Sequence, residues 1–335
     1  MALSGGRQVG EAELDAVVRA VRDAPGLRAK AALRLVTEVL GASDWVGGPG
    51  DDAAVVEVGA TRVVAGGEAL FPPFVESDPR GAGIAAVVAN VNDLCAMGAR
   101  PLAILDTIVG TEPLARRALE GMRHAAGLYR VPVVGGHLTL RDGPPAMSAF
   151  GLGEARALLR SRDVEPGQKV LLGCCLEGTM RRDFPYFSCL DERGGRLADD
   201  VRVLPALAEA GLCAAARDVS MAGLLGSLAM LLEPTRSGAC VDLDALPRPA
   251  AVDLTVWVTA FPIYGFLLCV PPDSVDACRA RFTERGLACA PIATVDGSGE
   301  LRVRGGGEER LALDLRREPV TGLGLLGEAE ARGGT

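Results

Sequence analysis

The stretch Gly83–Pro101, GIAAVVANVNDLCAMGARP, decides the fold of this 335-residue chain. Ile84, Val87, Val88, Val91, Leu94 and Cys95 recur at spacings of three and four, and apolar residues occupy almost every side. That pattern belongs to a helix buried all round, not to one lying on a surface. Gly98 stops it, and Arg100-Pro101 prevents its continuation. Asn90, Asn92 and Asp93 interrupt the apolar run. An unpaired carboxylate there costs roughly 3–5 kcal/mol, so it calls for a cation or several donors. A metal ligand and a hydrated helix-end Asp both fit this stretch taken by itself.

Upstream, Phe71 to Pro79 reads as an extended, proline-bearing loop. Ala53–Val58 and Thr61–Ala65 form a hairpin about Gly59-Ala60, where Gly in first place suits a II′ turn. The preceding segment 45–52, WVGGPGDD, is a glycine-rich loop ending in paired acids. Two helices, Glu11–Ala24 and Arg28–Leu40, open the chain. Downstream come a strand at Leu102–Val109 and a helix at Glu112–Tyr129. A short buried strand, Val131–Val134, then empties into a Gly135-Gly136-His137 loop, and a strand follows at Ala146–Glu154. Alternating strands and helices with hairpins among them predict an α/β domain on a mixed sheet over 1–160. Residues 161–335 read as a second, α+β domain. There 181–196 is an aperiodic surface loop or lid, Asp199–Ala210 is a helix, and Arg217–Ser220 opens another helix over Met221–Leu232. The end of the chain, from 327, is expected to fray.

Composition narrows the chemistry. The chain is 49% apolar and 23% charged with net charge −8, a folded protein with no basic run for nucleic acid. Nearly every cation is Arg; the lysines are Lys30 and Lys169, which excludes a lysine-cluster mechanism. Nine cysteines, an odd number without a CxxC, read as buried thiols of a reducing cytoplasm. No unbroken apolar span of membrane length and no apolar signal core appears, so no membrane partner is expected.

Acids stand beside glycines or at element ends: Asp51/Asp52, Glu68, Asp93 and Asp218, with His137 among them. Scattered single carboxylates suit Mg2+, which takes oxygen ligands and keeps waters. Phosphoryl transfer needs such metals and positioning groups. Backbone N–H groups of a glycine-rich loop approach phosphate closely. Ser220 at a helix start, with Gly223 and Gly226 after it, offers the positive end of a helix dipole. Each residue also has a plain reading. Asp51-Asp52 is a common turn pair, Asp218 a helix N-cap, and His137 a loop histidine.

Four segments taken in order resemble the AIR synthase superfamily, which includes aminoimidazole ribonucleotide synthase, selenophosphate synthetase, thiamine-monophosphate kinase and a hydrogenase-maturation dehydratase. They are GPGDDAAVV (48–56), NVNDLCAMGARPLA (90–103), VPVVGGHLTL (131–140) and RDVSMAGLLGSLAMLLE (217–233). The resemblance is to a bacterial AIR synthase-like branch without an assigned substrate. It implies an α/β domain and an α+β domain, dimers that pair N-terminal domains into a shared β-barrel, and ATP-Mg2+ in the cleft between domains. Carried over position by position, it implies Asp51 and Asp52 as acids reaching Mg2+ and phosphate, Asp93 as a metal-binding acid, and Asp218 as the phosphate-side acid. His137 matches a position filled by Asp, Glu or His. Gly50, Asn90, Gly135, Gly136, Ser220 and Gly223 are the implied nucleotide contacts of the same segments.

The chain departs from the family pattern in three places. Gly66-Gly67-Glu68 replaces Thr-Asp, and the resemblance implies Glu68, one methylene longer, as metal ligand in place of that Asp. Leu138 replaces a Thr, and Met221-Ala222 replaces Gly-Gly. No cysteine precedes Cys95 and the last residues are Arg-Gly-Gly-Thr, which disfavours the selenophosphate and dehydratase chemistries. The expectation is an ATP- and Mg2+-dependent enzyme acting on an oxygen of a small molecule, either as a kinase or in an ATP-driven cyclisation or dehydration. Both begin with oxygen attack on the γ-phosphate. A non-catalytic nucleotide-binding subunit is the alternative, and a thiol enzyme using Cys174-Cys175 the third reading. The segments 71–78 and 181–196 are the expected places where the acceptor is read. Short strands with open edges predict a homodimer.

Overall fold

The computed structural model describes residues 8–40, 50–181 and 184–323. The glycine-rich residues 45–49 and the tail from 327 therefore lie outside the described residues. Contacts divide the chain into two compact units, neither continuous in sequence. One holds 52–158 and 193–209; the other holds 1–51, 159–192 and 210–335.

The first unit is built on a five-stranded sheet. Its order is Ala54–Val58, Thr61–Ala69, Ala146–Ala155, Arg100–Gly110 and Val133–Leu140. The first three pairings are antiparallel and the last is parallel, a mixed sheet as the hairpins require. Two 18-residue helices, Pro79–Ala96 and Glu112–Tyr129, cover one face. The first is buried from Ala82 almost continuously to Ala96, and Gly98 ends it with φ +79°. The second matches its predicted bounds, with Ala115, Ala118, Met122, Ala125 and Tyr129 buried on one side. The two helices touch through a pair of glycines. A Cβ on Gly83 would lie 2.0 Å from the Ala118 carbonyl oxygen, and one on Gly121 would lie 2.1 Å from that of Arg80. Each backbone thus fills the notch left by the other's missing side chain.

Three local readings change here. Residues 72–77 are a helix, Pro72–Ser77, not a loop, because Pro72 sits at the helix start where its lost N–H costs nothing. Gly135-Gly136-His137 lies inside the strand Val133–Leu140 and not in a loop after it. That strand is at the sheet edge and mostly exposed, not buried. Asp199–Ala210 is two short helices, Leu197–Val201 and Val203–Glu209. The buried ion pair between Arg193 and Asp200, 2.6 Å long, anchors them.

The second unit carries a seven-stranded, largely antiparallel sheet. Its order is Glu308–Asp314, Glu300–Gly305, Gly238–Asp242, Ala288–Asp296, Lys169–Cys174, Gly265–Val270 and Ala215–Asp218. Lys169–Cys174 and Gly265–Val270 are near-continuous apolar runs, buried throughout their centres. Helices Glu11–Asp23, Gly223–Leu232 and Leu254–Thr259 pack together here, with the core residues Leu14, Val17, Leu225, Leu228 and Trp257. Glu233, buried, accepts hydrogen bonds from the N–H groups of Val320, Thr321 and Gly322 and from Thr321 Oγ1. Arg28–Leu40 is not one helix but Pro25–Ala29, a 3₁₀ turn and Arg34–Leu40. Part of 181–196 is ordered as the strand Tyr186–Ser188 and the single turn Leu190–Arg193, while 182–183 lie outside the described residues.

Candidate active site

In the first unit the buried helix brings Asp93 down onto the sheet, 6% exposed. Gly66 of the strand Thr61–Ala69 lies beneath it. A Cβ there would sit 4.0 Å from the Asp93 Cβ and 3.4 Å from that of Ala53. Asp52 leads into the first strand from the same side, and a carboxylate oxygen of each acid lies within 4.8 Å of the other. At an effective dielectric of about 20, two such charges repel by about 3 kcal/mol. Residues from opposite ends of the unit's first 42 positions, 52 and 93, converge because the helix packs on a face of the sheet whose first two strands are the hairpin that Asp52 opens.

Asp51 is placed differently. Its Oδ1 accepts from the Ser161 N–H at 2.8 Å and from Ser161 Oγ at 2.5 Å, both in the second unit together with Asp51. Arg217 donates to the Gly50 carbonyl at 2.6 Å, so the end of the glycine-rich loop is fastened at two points. Glu68 lies in the strand after Gly66-Gly67, exposed at its end.

Asn90 is fully buried, its Nδ2 donating to Ala86 O at 2.8 Å. A Cβ on Gly151 would meet its Oδ1 at 3.2 Å, which places Asn90 in the packing between helix and strand. His137 and Asp93 fall on opposite sides of the sheet. A Cβ on Gly136 would point at Asp106, on the helix-covered side, so the next residue along the strand faces the open side. His137 pairs with Thr107 there, exposed, and Phe150 of the neighbouring strand is 46% exposed on that same side. Gly135, exposed, also faces it.

In the second unit Asp218, 6% exposed, ends the strand Ala215–Asp218 and caps no helix. The helix begins five residues later at Gly223. Gly223 has φ +74°, and a Cβ on it would lie 2.6 Å from Thr259 Cα, so glycine is required by close packing. The Ser220 N–H donates to Ser227 Oγ at 3.1 Å.

One residue escaped the sequence reading. Asp106, 8% exposed, stands in the middle of the strand Arg100–Gly110 between the buried Ile104 and Ile108. Burial raises its carboxyl pKa above the ordinary value. The signal was an acid with the same parity as two buried isoleucines. Two of the buried thiols are poorly placed as nucleophiles. Burial pushes Cys174 well above its usual range, the neighbouring Cys289 and Cys175 thiols adding to it, and holds Cys95 up at about 12.

Comparison with known proteins matches residues 50–155 to the AIR synthase related protein N-terminal domain and 195–306 to the corresponding C-terminal domain. An uncharacterized protein of Synechocystis is 36% identical over 82% of this chain and 86% of its own length. The PurL subunit of phosphoribosylformylglycinamidine synthase from Parvibaculum lavamentivorans is 28% identical over 77% of this chain, which spans 38% of that protein. The structure of T. maritima PurL complexed with ATP shares the fold at TM-score 0.69 and 20% identity, over 89% of this chain and 55% of that one. Among the described residues no helix is long and apolar enough to cross a membrane.

Proposed function

Because the chain belongs to the AIR synthase related family, we propose that it is an ATP- and Mg2+-dependent enzyme that activates or phosphorylates an oxygen of a small-molecule substrate. The observation that carries this reading is the Asp52–Asp93 pair, two carboxylate oxygens within 4.8 Å at the buried end of a helix. A hard divalent cation fits that donor set. It relieves the repulsion and leaves positions for water and phosphate oxygens. Bound there with ATP, Mg2+ would neutralise charge on the phosphates as the acceptor oxygen attacks. The chain's own part is to fix the two acids on rigid elements, so that little rearrangement is needed when the cation arrives. T. maritima PurL, of the same fold, has been solved with ATP, which supports the choice of nucleotide.

The remaining assignments rest on motif position. Asp51, Glu68 and Asp218 are further acids of the metal–phosphate site, and Gly50, Gly135, Gly136, Ser220 and Gly223 its nucleotide contacts. Asn90 belongs to the same motif and supports the helix from its buried position. His137 acts from the open face, which a second copy would cover in a homodimer. The exposed Phe150 on that face favours such a partner. Nine free thiols suit the reducing cytoplasm.

Calorimetry with ATP and Mg2+, followed by ADP release in the presence of candidate acceptors, tests the proposal. Saturable Mg2+-dependent binding and acceptor-dependent ADP are expected. No nucleotide binding would overturn it. Binding without ADP under any acceptor would leave the second reading, a nucleotide-binding subunit without turnover. Leu138, a 49% exposed apolar side chain where the family pattern has a hydroxyl, favours that alternative.

A further inference from the structure

The chain leaves the second unit after Asp51 and returns to it at Leu159. Beside these two crossings the outgoing and returning segments are bonded to each other. Asp51 Oδ1 accepts from the Ser161 N–H at 2.8 Å and from Ser161 Oγ at 2.5 Å. Hydrogen bonds to an ionised acceptor are roughly twice as strong as neutral ones, and here two donors converge on one oxygen. Ser161 is 2% exposed and opens the 3₁₀ turn Ser161–Asp163, which packs on the strand Ala215–Asp218. The turn is closed by Arg160, whose guanidinium donates to both Asp163 carboxylate oxygens, at 2.8 and 3.0 Å.

Gly50 is seated from two further sides. Arg217, 6% exposed on that same strand, donates from Nη1 to the Gly50 carbonyl at 2.6 Å. A Cβ on Gly50 would lie 3.6 Å from Pro234 Cγ, so the backbone also rests against the turn Glu233–Thr235. Gly50 has φ +100°, a conformation that favours glycine, and the strand, the two turns and this bend belong to one unit. Residues 50 and 51 are thus held by a strand and two turns that are themselves tied down. Asp52, the next residue, is one of the two acids that meet at the end of the buried helix.

We infer that Asp51 is a positioning residue. Through Ser161, and with Arg217 holding Gly50, it fixes the point from which Asp52 reaches the cation. Two donors already fill the lone pairs of Asp51 Oδ1. On this inference Asp51 serves the metal–phosphate site by holding the backbone of its neighbour and not by touching the ion. The inference rests on the Mg2+ reading of the Asp52–Asp93 pair and adds to it which groups keep that pair in register.

Mn2+ binding to the full chain without nucleotide, followed by electron paramagnetic resonance, tests it, with urea unfolding measured alongside. Asp51→Ala and Ser161→Ala should each weaken Mn2+ binding about tenfold or more, the size usual for groups that hold a metal ligand in place. Asp51→Asn keeps an oxygen for the Ser161 donors and should stay within about threefold of wild type, the bonds losing only their charge assistance. Should Asp51→Ala fail to fold, Ser161→Ala carries the test, because it leaves the bond from the Ser161 N–H in place. Wild-type Mn2+ affinity in folded Ser161→Ala or Asp51→Ala, with only unfolding shifted, would make the bond purely structural and overturn the inference. Asp51→Asn falling as far as Asp51→Ala would make Asp51 a ligand and overturn it too. Absence of Mn2+ binding in wild type would sink the reading of the Asp52–Asp93 pair and this inference with it, whereas the other two outcomes leave that reading standing.

Discussion

Two helices of equal length, Pro79–Ala96 and Glu112–Tyr129, lie side by side on one sheet and are built on opposite plans. The first buries thirteen of its residues, the second six. In Glu112–Tyr129 the polar residues face water, and Arg116 and Glu112 pair on its surface. Its sequence reports only where the core lies. In Pro79–Ala96 no face is left for polar groups, so each one present needs a reason inside the protein. Asn90 is bonded back to its own helix, and Asp93 meets Asp52. In a wholly buried helix a polar residue is therefore evidence about function, whereas in an amphipathic one it is evidence about solvent.

The largest break in that contrast should come from Asp93→Asn. Mg2+-dependent ATP affinity is expected to fall at least a hundredfold by calorimetry. Thermal stability should hold or rise, because the repulsion with Asp52 goes. Next comes thiol access. Cys95, fully buried with its pKa near 12, should react with a disulfide reagent at pH 8 about a thousandfold more slowly than a cysteine placed on the other helix by Leu119→Cys. Leu119 is 40% exposed, so the comparison sets one helix's inner thiol against the other's outer one.

A third test addresses the contact between them. Gly121→Ala puts a methyl 2.1 Å from the Arg80 carbonyl oxygen and should cost about 1–3 kcal/mol in urea unfolding. The smallest effect is expected from Arg116→Ala, which removes an ion pair whose partners are 67% and 65% exposed. Unfolding should shift by no more than about 0.5 kcal/mol. A larger shift would mean that this helix's outer face is covered.

Legibility followed periodicity. Glu112–Tyr129 could be bounded to the residue because its apolar spacing is regular and Arg130, at φ 53°, ends it. The hairpin strands and the mixed sheet were likewise readable from alternation and a glycine turn. Pro72–Ser77 was not, because Pro-Pro suggests extended chain unless the first proline opens a helix. Val133–Leu140 was misread since Gly-Gly-His breaks the β pattern, and only pairing with Arg100–Gly110 holds it as a strand. Asp93 stood out because it interrupts a long apolar run. Asp106 did not, because a five-residue neighbourhood of strand residues hides a single acid whose parity shows only once the sheet is known.

The glycine pair between the two helices bears on the Asp52–Asp93 acid pair, which it never touches. With Gly83 and Gly121 each receiving the other's main chain, Pro79–Ala96 has little freedom to slide along its axis. Asp93 lies ten positions further along that rod, about 15 Å from the lock. The lock works as a depth stop: it sets how far the acid reaches over Gly66, from a distance at which no ligand could sense it. Side chains lining the acid pair could drift over time and leave its geometry alone, while a single methyl at the stop would move it.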